Sequence, residues 1–241
     1  MPSDKDSSPT APLNKEALGA ALRHHLDEVS RLRQARCADP APDDHLRLKA
    51  WQSNRLARTY PDLLADPRYR PAAEFFLDEL YGTKDFTARD SEVARIIPTL
   101  VAMLPARALF TLVEAIRMDA ISESLDADMV TQLRAVKQIN QIDDQTYAGA
   151  YRACGRRDDR IVQLKLVEDI GATLDRLTRM PLLGVTLKMM KAPAEMAGLG
   201  NLHSFLQHGF VAFKNMHGAD YFLATILERE TRLMEQFFSG E

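Results

Sequence analysis

Residues 160–177 read RIVQLKLVEDIGATLDRL, and the spacing of their apolar side chains decides the fold class. An apolar residue recurs every three or four positions, at Ile161, Leu164, Val167, Ile170 and Leu174. This spacing places them on one stripe of an α-helix, with charged residues around the rest of its surface. The stretch therefore predicts an amphipathic helix whose apolar stripe covers the interior of a helical protein.

The same periodicity covers nearly the whole chain. It starts behind Asn14, a residue type that caps helices, and continues through Leu18, Leu22, Leu26, Val29 and Leu32. No alternating run of β-branched residues competes with it. We therefore expect an all-α protein with a single compact multi-helix domain over residues 14–241, built from about nine to eleven helices. Residues 1–13 are rich in Ser, Pro and Asp, which predicts a disordered tail.

Glycine, proline and aspartate mark the expected helix ends. Gly155 closes the segment DDQTYAGAYRACG, where a helix C-cap favours a left-handed backbone. Pro98 lies inside SEVARIIPTLVAML and predicts a kink or a break, because proline removes a backbone donor. Asp126 follows the helical segment ARALFTLVEAIRMDAISESL, and we expect it to cap a new helix.

Residues 74–90, EFFLDELYGTKDFTARD, combine aromatic residues, one glycine and alternating charges. We interpret them as a joint between two helices rather than as an active site. Gly82 suits a C-cap with positive φ, and Thr87 with Asp90 suits the start of the next helix. The residues of this predicted joint are Phe75, Phe76, Tyr81, Gly82, Asp85, Phe86, Thr87 and Asp90. The alternative is that its charged connection docks a partner.

The composition excludes several classes of protein. A formal net charge of −3 gives no electrostatic reason to expect nucleic-acid binding. No apolar run reaches the roughly 18 residues of a membrane span, and the start has no apolar core of a secretory signal, so we expect a cytoplasmic protein. Cys37 and Cys154 form no CxxC pair and are interpreted as two reduced thiols.

Motifs for common chemistries are also missing. The sequence contains no nucleotide loop of the GxxxxGK[ST] or GxGxxG type and no GxSxG nucleophile, which favours a protein that is not an enzyme. The segment RACGRRDDR does place Arg152, Arg156, Arg157 and Arg160 near a helix start, where an anion would be stabilised. Asp158 and Asp159 can cap that helix and partly neutralise the arginines, so we favour a solvated helix junction over an anion site.

The histidines do not form a metal motif. Glu-x-x-His and HExxH are both absent, and His24 with His25, as neighbours on a helix, would make a poor chelate. No metal site is therefore predicted. The segment LHSFLQHGFVAFKNMH places His203, His208 and His217 among apolar residues, which makes them candidate axial ligands of a haem or another tetrapyrrole. His203 and His217 would share a face only if one helix ran unbroken through Gly209.

Five of the ten methionines lie between Met180 and Met216. Methionine-rich surfaces adapt to varied ligands and partner helices. Met189, Met190 and Met196 are therefore candidate lining residues of a lipophilic pocket. The same region could instead form a dimer face, or the methionines could fill gaps in an irregular core.

Three segments resemble a family of uncharacterised bacterial helical proteins. They are EFFLDELYGTKDFTARD, RIIPTLVAMLP and GLGNLHSFLQHGFVAFKNMHGADYFLATILERE, and the resemblance covers most of the chain after the tail. It implies a bacterial, helical, cytoplasmic protein and attaches no activity, cofactor or catalytic residue.

Three functional hypotheses follow from the sequence. The first is a non-enzymatic helical protein that acts through protein or regulatory contacts as a homodimer. The alternative is a binding protein for a lipophilic or tetrapyrrole ligand, which uses the methionine-rich residues 180–216 and the late histidines. An enzyme of unknown class is the third hypothesis.

Overall fold

A computed structural model describes residues 14–79 and 87–240. The predicted tail, residues 1–13, lies outside the described residues. So do residues 80–86 of the predicted joint, which include Tyr81, Gly82, Asp85 and Phe86. The side chains of residues 79, 87–90 and 103 are likewise not covered, so the capping roles of Thr87 and Asp90 stay predictions.

Within the described ranges the chain folds into twelve α-helices and no strand, which confirms the all-α prediction. Ten of them have seven residues or more, and α3 and α10 are shorter. The helices are α1 (Lys15–Cys37), α2 (Asp43–Thr59), α3 (Pro61–Ala65), α4 (Arg70–Glu79), α5 (Thr87–Met103), α6 (Ala106–Ala135), α7 (Asp144–Cys154), α8 (Arg157–Thr178), α9 (Leu183–Met189), α10 (Lys191–Met196), α11 (Gly200–Asn215) and α12 (Asp220–Ser239).

The structure agrees with some of the predicted helix ends and corrects others. Gly155 follows α7 with φ +64°, the left-handed C-cap that its position predicts. α5 continues through Pro98, so no break occurs there. The prediction for Asp126 is wrong, because α6 runs unbroken past it. The Asp126 side chain points inward and accepts a hydrogen bond from Gln52 instead of capping a backbone amide.

α6 is the central helix of the fold. It packs against α1, α2, α5, α7 and α8, while α8 also packs against α11 and α12. α4 lies against α11. α6 therefore connects helices of the N-terminal half of the chain to α7 and α8.

The buried apolar side chains form three clusters instead of one continuous core. The first joins α1, α5 and α6 and includes Leu22, Leu26, Val29, Ile97, Leu109 and Val113. The second joins α2, α3, α4, α11 and α12 and includes Leu56, Leu63, Phe75, Phe213, Met216 and Phe222. The third joins α2, α6, α7 and α12 and includes Leu48, Met129, Leu133, Tyr147, Tyr151 and Met234. A domain of this kind usually has one contiguous cluster, so the division needs an explanation.

None of the described helices combines the length and the apolar character that crossing a membrane would require.

Candidate functional site

A cavity of about 550 Å³ lies where the three clusters meet. Residues of all three contribute to its wall, among them Ile116 from the first, Phe213 from the second and Tyr151 from the third. Its volume falls within the range of roughly 300–1,000 Å³ that is usual for small-molecule sites. The cavity therefore explains why the core is divided.

Aromatic side chains form one part of the cavity wall. Phe75 of α4 lies with its ring centroid 5.5 Å from that of Phe205 of α11. Phe76 lies 5.6 Å from Phe222 of α12 in the same measure. The two phenylalanines of the predicted joint therefore belong to the core and to the cavity wall. Their packing supports a structural role, as the sequence predicts for them.

The apolar stripe of α8 faces the cavity. Leu164, Val167, Ile170 and Leu174 all line it, and all four are only partly buried. Ile161, the first residue of the predicted stripe, is 42% exposed and lies outside the lining, so that part of the prediction is wrong. The reason is geometric, because the start of α8 turns Arg160 inward in its place.

Polar groups gather where the cavity approaches α2, α6 and α7. The Gln52 amide nitrogen donates to a carboxylate oxygen of Asp126 at 2.9 Å and lies 3.5 Å from the hydroxyl of Tyr147. Gln52, Asp126 and Tyr147 all line the cavity. Burial raises the pKa of Asp126, although nearby Lys49 opposes that shift. A buried carboxyl of raised pKa in a cavity is typical of functional sites.

Arg160 is the unusual residue of this polar region. It lines the cavity and is only 8% exposed. Its guanidinium carbon lies 4.3 Å from the ring centroid of Tyr151, and its Nη1 donates to Gln163 Oε1 at 3.4 Å. Its Nη2 is buried and has no hydrogen-bond partner. Among the described residues no carboxylate forms an ion pair with this guanidinium.

The other three arginines of the same segment are satisfied in ordinary ways. Arg152 donates to the backbone oxygen of Phe237, Arg156 pairs with Asp128 and Asp159, and Arg157 pairs with Glu235. These three match the solvated junction that the sequence favours, and Arg160 does not. The sequence predicts a solvated helix junction for all four arginines, and this prediction does not separate Arg160 from its neighbours.

A buried ionic network connects α1 to residues that line the cavity, namely Lys49, Asp119 and Glu123. Glu123 of α6 is 5% exposed and contacts Arg33 at 3.3 Å, Arg36 at 3.0 Å and Lys49 at 2.9 Å. Burial opposes ionisation of Glu123, but these cations together hold its pKa below the usual range. Arg33 also pairs with Asp119 at 2.9 Å. The network therefore ties α1 and α2 to α6 with most of its charge compensated.

The predicted histidine ligands do not come together. Nε2 of His203 lies 2.8 Å from the backbone oxygen of Leu187, while His208 and His217 are exposed. α11 runs unbroken through Gly209 but ends at Asn215, so His217 lies outside the helix that carries His203. None of the three is among the residues that line the cavity. The geometry therefore gives no support to haem ligation by these side chains.

The predicted methionine lining is on the surface instead. Met189, Met190 and Met196 are 74%, 52% and 90% exposed and do not line the cavity. Leu183 and Leu187 of α9 line it in their place. The methionine-rich pattern therefore corresponds to an apolar surface, and the residues of α9 that line this cavity are leucines.

Two smaller features, a group of donor atoms on α1 and the two cysteines, lie outside the cavity lining. His24, His25 and Glu28 bring donor atoms within 4.8 Å of one another on α1, closer than their sequence spacing predicts. Cys37 is exposed, Cys154 is half-buried, and both are free thiols, as predicted. Burial raises the pKa of the Cys154 thiol, which argues against a nucleophile at that position.

Most of the chain matches one protein family. A model of a domain of unknown function, DUF8198, matches residues 31–241. The chain belongs to this family. The matched region contains every residue that lines the cavity. No curated protein and no solved structure matches the chain.

Proposed function

We propose that this protein binds a lipophilic small molecule inside the cavity between its three apolar clusters. The cavity itself is the observation that supports the proposal. It combines a mostly apolar wall with polar side chains, among them Gln52, Asp126 and Arg160. Ligand sites in proteins have this composition, because apolar walls supply affinity and a few polar groups fix orientation.

Native mass spectrometry of the protein as purified from cells tests this proposal. We expect a mass above that of the chain, which disappears after extraction with organic solvent. Extraction should also lower the melting temperature, and readdition of the extract should restore it. Protein that carries no bound mass and whose melting temperature does not respond to apolar compounds would contradict the proposal.

Self-association is a second candidate function, and a separate surface supports it. The segment from the end of α8 to α10 exposes large apolar side chains, namely Met180, Leu182, Val185, Met189, Met190 and Met196. Patches of this kind are typical of protein–protein contacts. A homodimer, or a complex with another protein, would cover them.

Light scattering coupled to size-exclusion chromatography tests the homodimer. We expect the wild-type protein to elute with twice the mass of the chain and Met189→Glu to elute as a monomer. Leu46→Glu on α2, also at an exposed apolar position, is the control and should not change the mass. A wild-type monomer at high concentration would contradict the proposal.

We propose a cytoplasmic location in a bacterial cell. The two free thiols support it, because reducing compartments preserve them. The resemblance to bacterial helical proteins supports the bacterial origin. Fractionation of the source cells would test it.

A further inference from the structure

We propose that the ligand is a long-chain carboxylate whose head group binds the guanidinium of Arg160 and whose hydrocarbon chain follows the apolar face of α8. The inference rests on the proposed function, because it assigns the chemistry of a molecule in the same cavity. It goes further by naming the head group, the residue that recognises it and the path of the chain.

The first observation is a buried guanidinium that no carboxylate of the described residues contacts. Arg160 is 8% exposed, and its nearest described partners are the face of Tyr151 and a 3.4 Å contact with Gln163. Removing a guanidinium from water without an opposite charge is costly, and proteins usually pair such groups. A negatively charged ligand supplies the missing charge.

The carboxylates of the polar region are already engaged. Glu123 contacts three cations, and Glu230 accepts from Arg55 at 2.5 Å and from the Tyr60 hydroxyl at 2.7 Å. Asp126 accepts from Gln52, and burial raises its pKa toward the neutral form. None of these groups contacts Arg160 directly, although Asp126 attracts it electrostatically, so the unpartnered N–H donors of Arg160 remain for a ligand.

The geometry favours a carboxylate over other anions. A guanidinium presents parallel N–H donors that match the two oxygens of a carboxylate. The guanidinium carbon lies over the ring of Tyr151, and Nη2 has no hydrogen-bond partner, so its N–H donors are available to a ligand. A carboxylate carries the single negative charge that one guanidinium balances, whereas a phosphate dianion would bring a second negative charge into a largely apolar cavity.

The lining of α8 indicates the shape of the rest of the ligand. Arg160 lines the cavity at the start of the helix, and Leu164, Val167, Ile170 and Leu174 line it at successive turns. Fourteen residues of α-helix separate Arg160 from Leu174, a rise of about 21 Å. A hydrocarbon chain that starts at Arg160 and runs along α8 would contact these apolar side chains in turn.

Competition experiments with matched amphiphiles test the inference. The fluorescent neutral dye N-phenylnaphthylamine reports on the cavity, and dodecanoate, dodecanol and dodecyl phosphate compete with it at neutral pH. We expect dodecanoate to bind the wild-type protein about tenfold or more tightly than dodecanol, because a charge-assisted hydrogen bond typically has that effect. Dodecyl phosphate should bind more weakly than dodecanoate.

Arg160→Gln should remove the preference for dodecanoate while dodecanol still displaces the dye, which also shows that the variant is folded. Arg157→Gln is the matched control, since Arg157 is exposed on the same helix and does not line the cavity, and it should keep the wild-type preference.

Three results would overturn the inference. Equal binding of dodecanoate and dodecanol, an unchanged preference in Arg160→Gln, or tighter binding of dodecyl phosphate would each exclude Arg160 as a carboxylate site while leaving a lipophilic cavity in place. Failure of the dye and of all three amphiphiles to bind would instead remove the proposed function itself, and the inference with it.

Discussion

The guanidinium of Arg160 and the ring of Tyr151 lie 4.3 Å apart, one helix turn into α8 and near the end of α7. Both side chains are buried and both line the cavity. Burial raises the pKa of the Tyr151 hydroxyl, so the ring stays neutral and presents its negative face to the cation. The pair therefore joins two helices and holds a charge at the ligand site.

A double-mutant cycle measures this pair. Unfolding in urea of Arg160→Met, Tyr151→Leu and the double variant should give a coupling free energy of about 1–2 kcal/mol, as expected for a desolvated cation–π contact. Arg157→Met combined with Tyr151→Leu is the control, and its coupling should be close to zero. A coupling no larger than that of the control would show that the contact between Arg160 and Tyr151 does not stabilise the protein.

Asp126→Asn should raise stability at neutral pH. Because burial raises the folded pKa of Asp126, the folded state binds more protons than the unfolded state above the unfolded pKa of about 3.9. Its contribution is therefore fully present below that pH and is lost as the pH rises through the folded pKa. The asparagine variant can still accept the hydrogen bond from Gln52.

The difference in unfolding free energy between Asp126→Asn and wild type should be small near pH 4 and grow by about 1.4 kcal/mol per pH unit until the folded pKa is reached. Urea titrations across this range provide the measurement. A difference that does not depend on pH would show that Asp126 is ionised normally in the folded protein.

Glu123→Gln should destabilise the protein strongly. It leaves Arg33, Arg36 and Lys49 without their shared carboxylate in a buried setting. Removing one partner of a buried ion pair typically costs about 3–5 kcal/mol. Chemical unfolding would measure the loss.

The control for Glu123 is Glu228→Gln, because Glu228 pairs with Arg232 on the exposed face of α12. It should change stability by less than about 0.5 kcal/mol. Equal effects of the two substitutions would contradict the structural role of the buried network.

Alanine substitutions at Gly149, inside α7, and at Gly155, just after it, should change the stability of the protein in opposite directions. Gly155 has φ +64°, and an added methyl group there would meet no atom within 4 Å, so any cost comes from the backbone alone. Gly155→Ala should lower stability by about 1 kcal/mol. Gly149 lies inside the helix with equally open surroundings, and Gly149→Ala should raise stability by about 0.5–1 kcal/mol. Melting temperatures that move in the same direction would contradict the cap assignment.

The periodicity of the sequence was sufficient to predict the fold class. Leu164, Val167, Ile170 and Leu174 face the interior as their spacing requires, and Gly155 ends α7 as a left-handed cap requires. Both features depend on local geometry, which a short stretch of sequence determines. Local reasoning failed for Asp126, because a carboxylate at a cap and one bonded to a distant glutamine look the same in sequence.

The site was less accessible to sequence reasoning, because a cavity is a property of packing. Four arginines lie within residues 152–160, and only the folded chain separates buried Arg160 from three that have ordinary partners. Met189 and Met196 are exposed and do not line this cavity. Their sequence pattern did not show this, since apolar character indicates burial or a surface contact equally well. One signal was available in the sequence: Arg160 lies four positions before Leu164, and on a helix this spacing places it on the same face as the apolar stripe.

Filling the cavity with a larger side chain tests directly whether a ligand binds there. Ala115 of α6 lines the cavity, and Ala115→Phe should occupy part of it, raising stability by about 1–2 kcal/mol from added apolar burial. Ala172→Phe, at an exposed position of α8, is the control. The decisive measurement is the affinity for N-phenylnaphthylamine in the two variants and in wild type. We predict at least tenfold weaker binding in Ala115→Phe alone. Unchanged affinity in a folded Ala115→Phe variant would contradict a ligand site in this cavity.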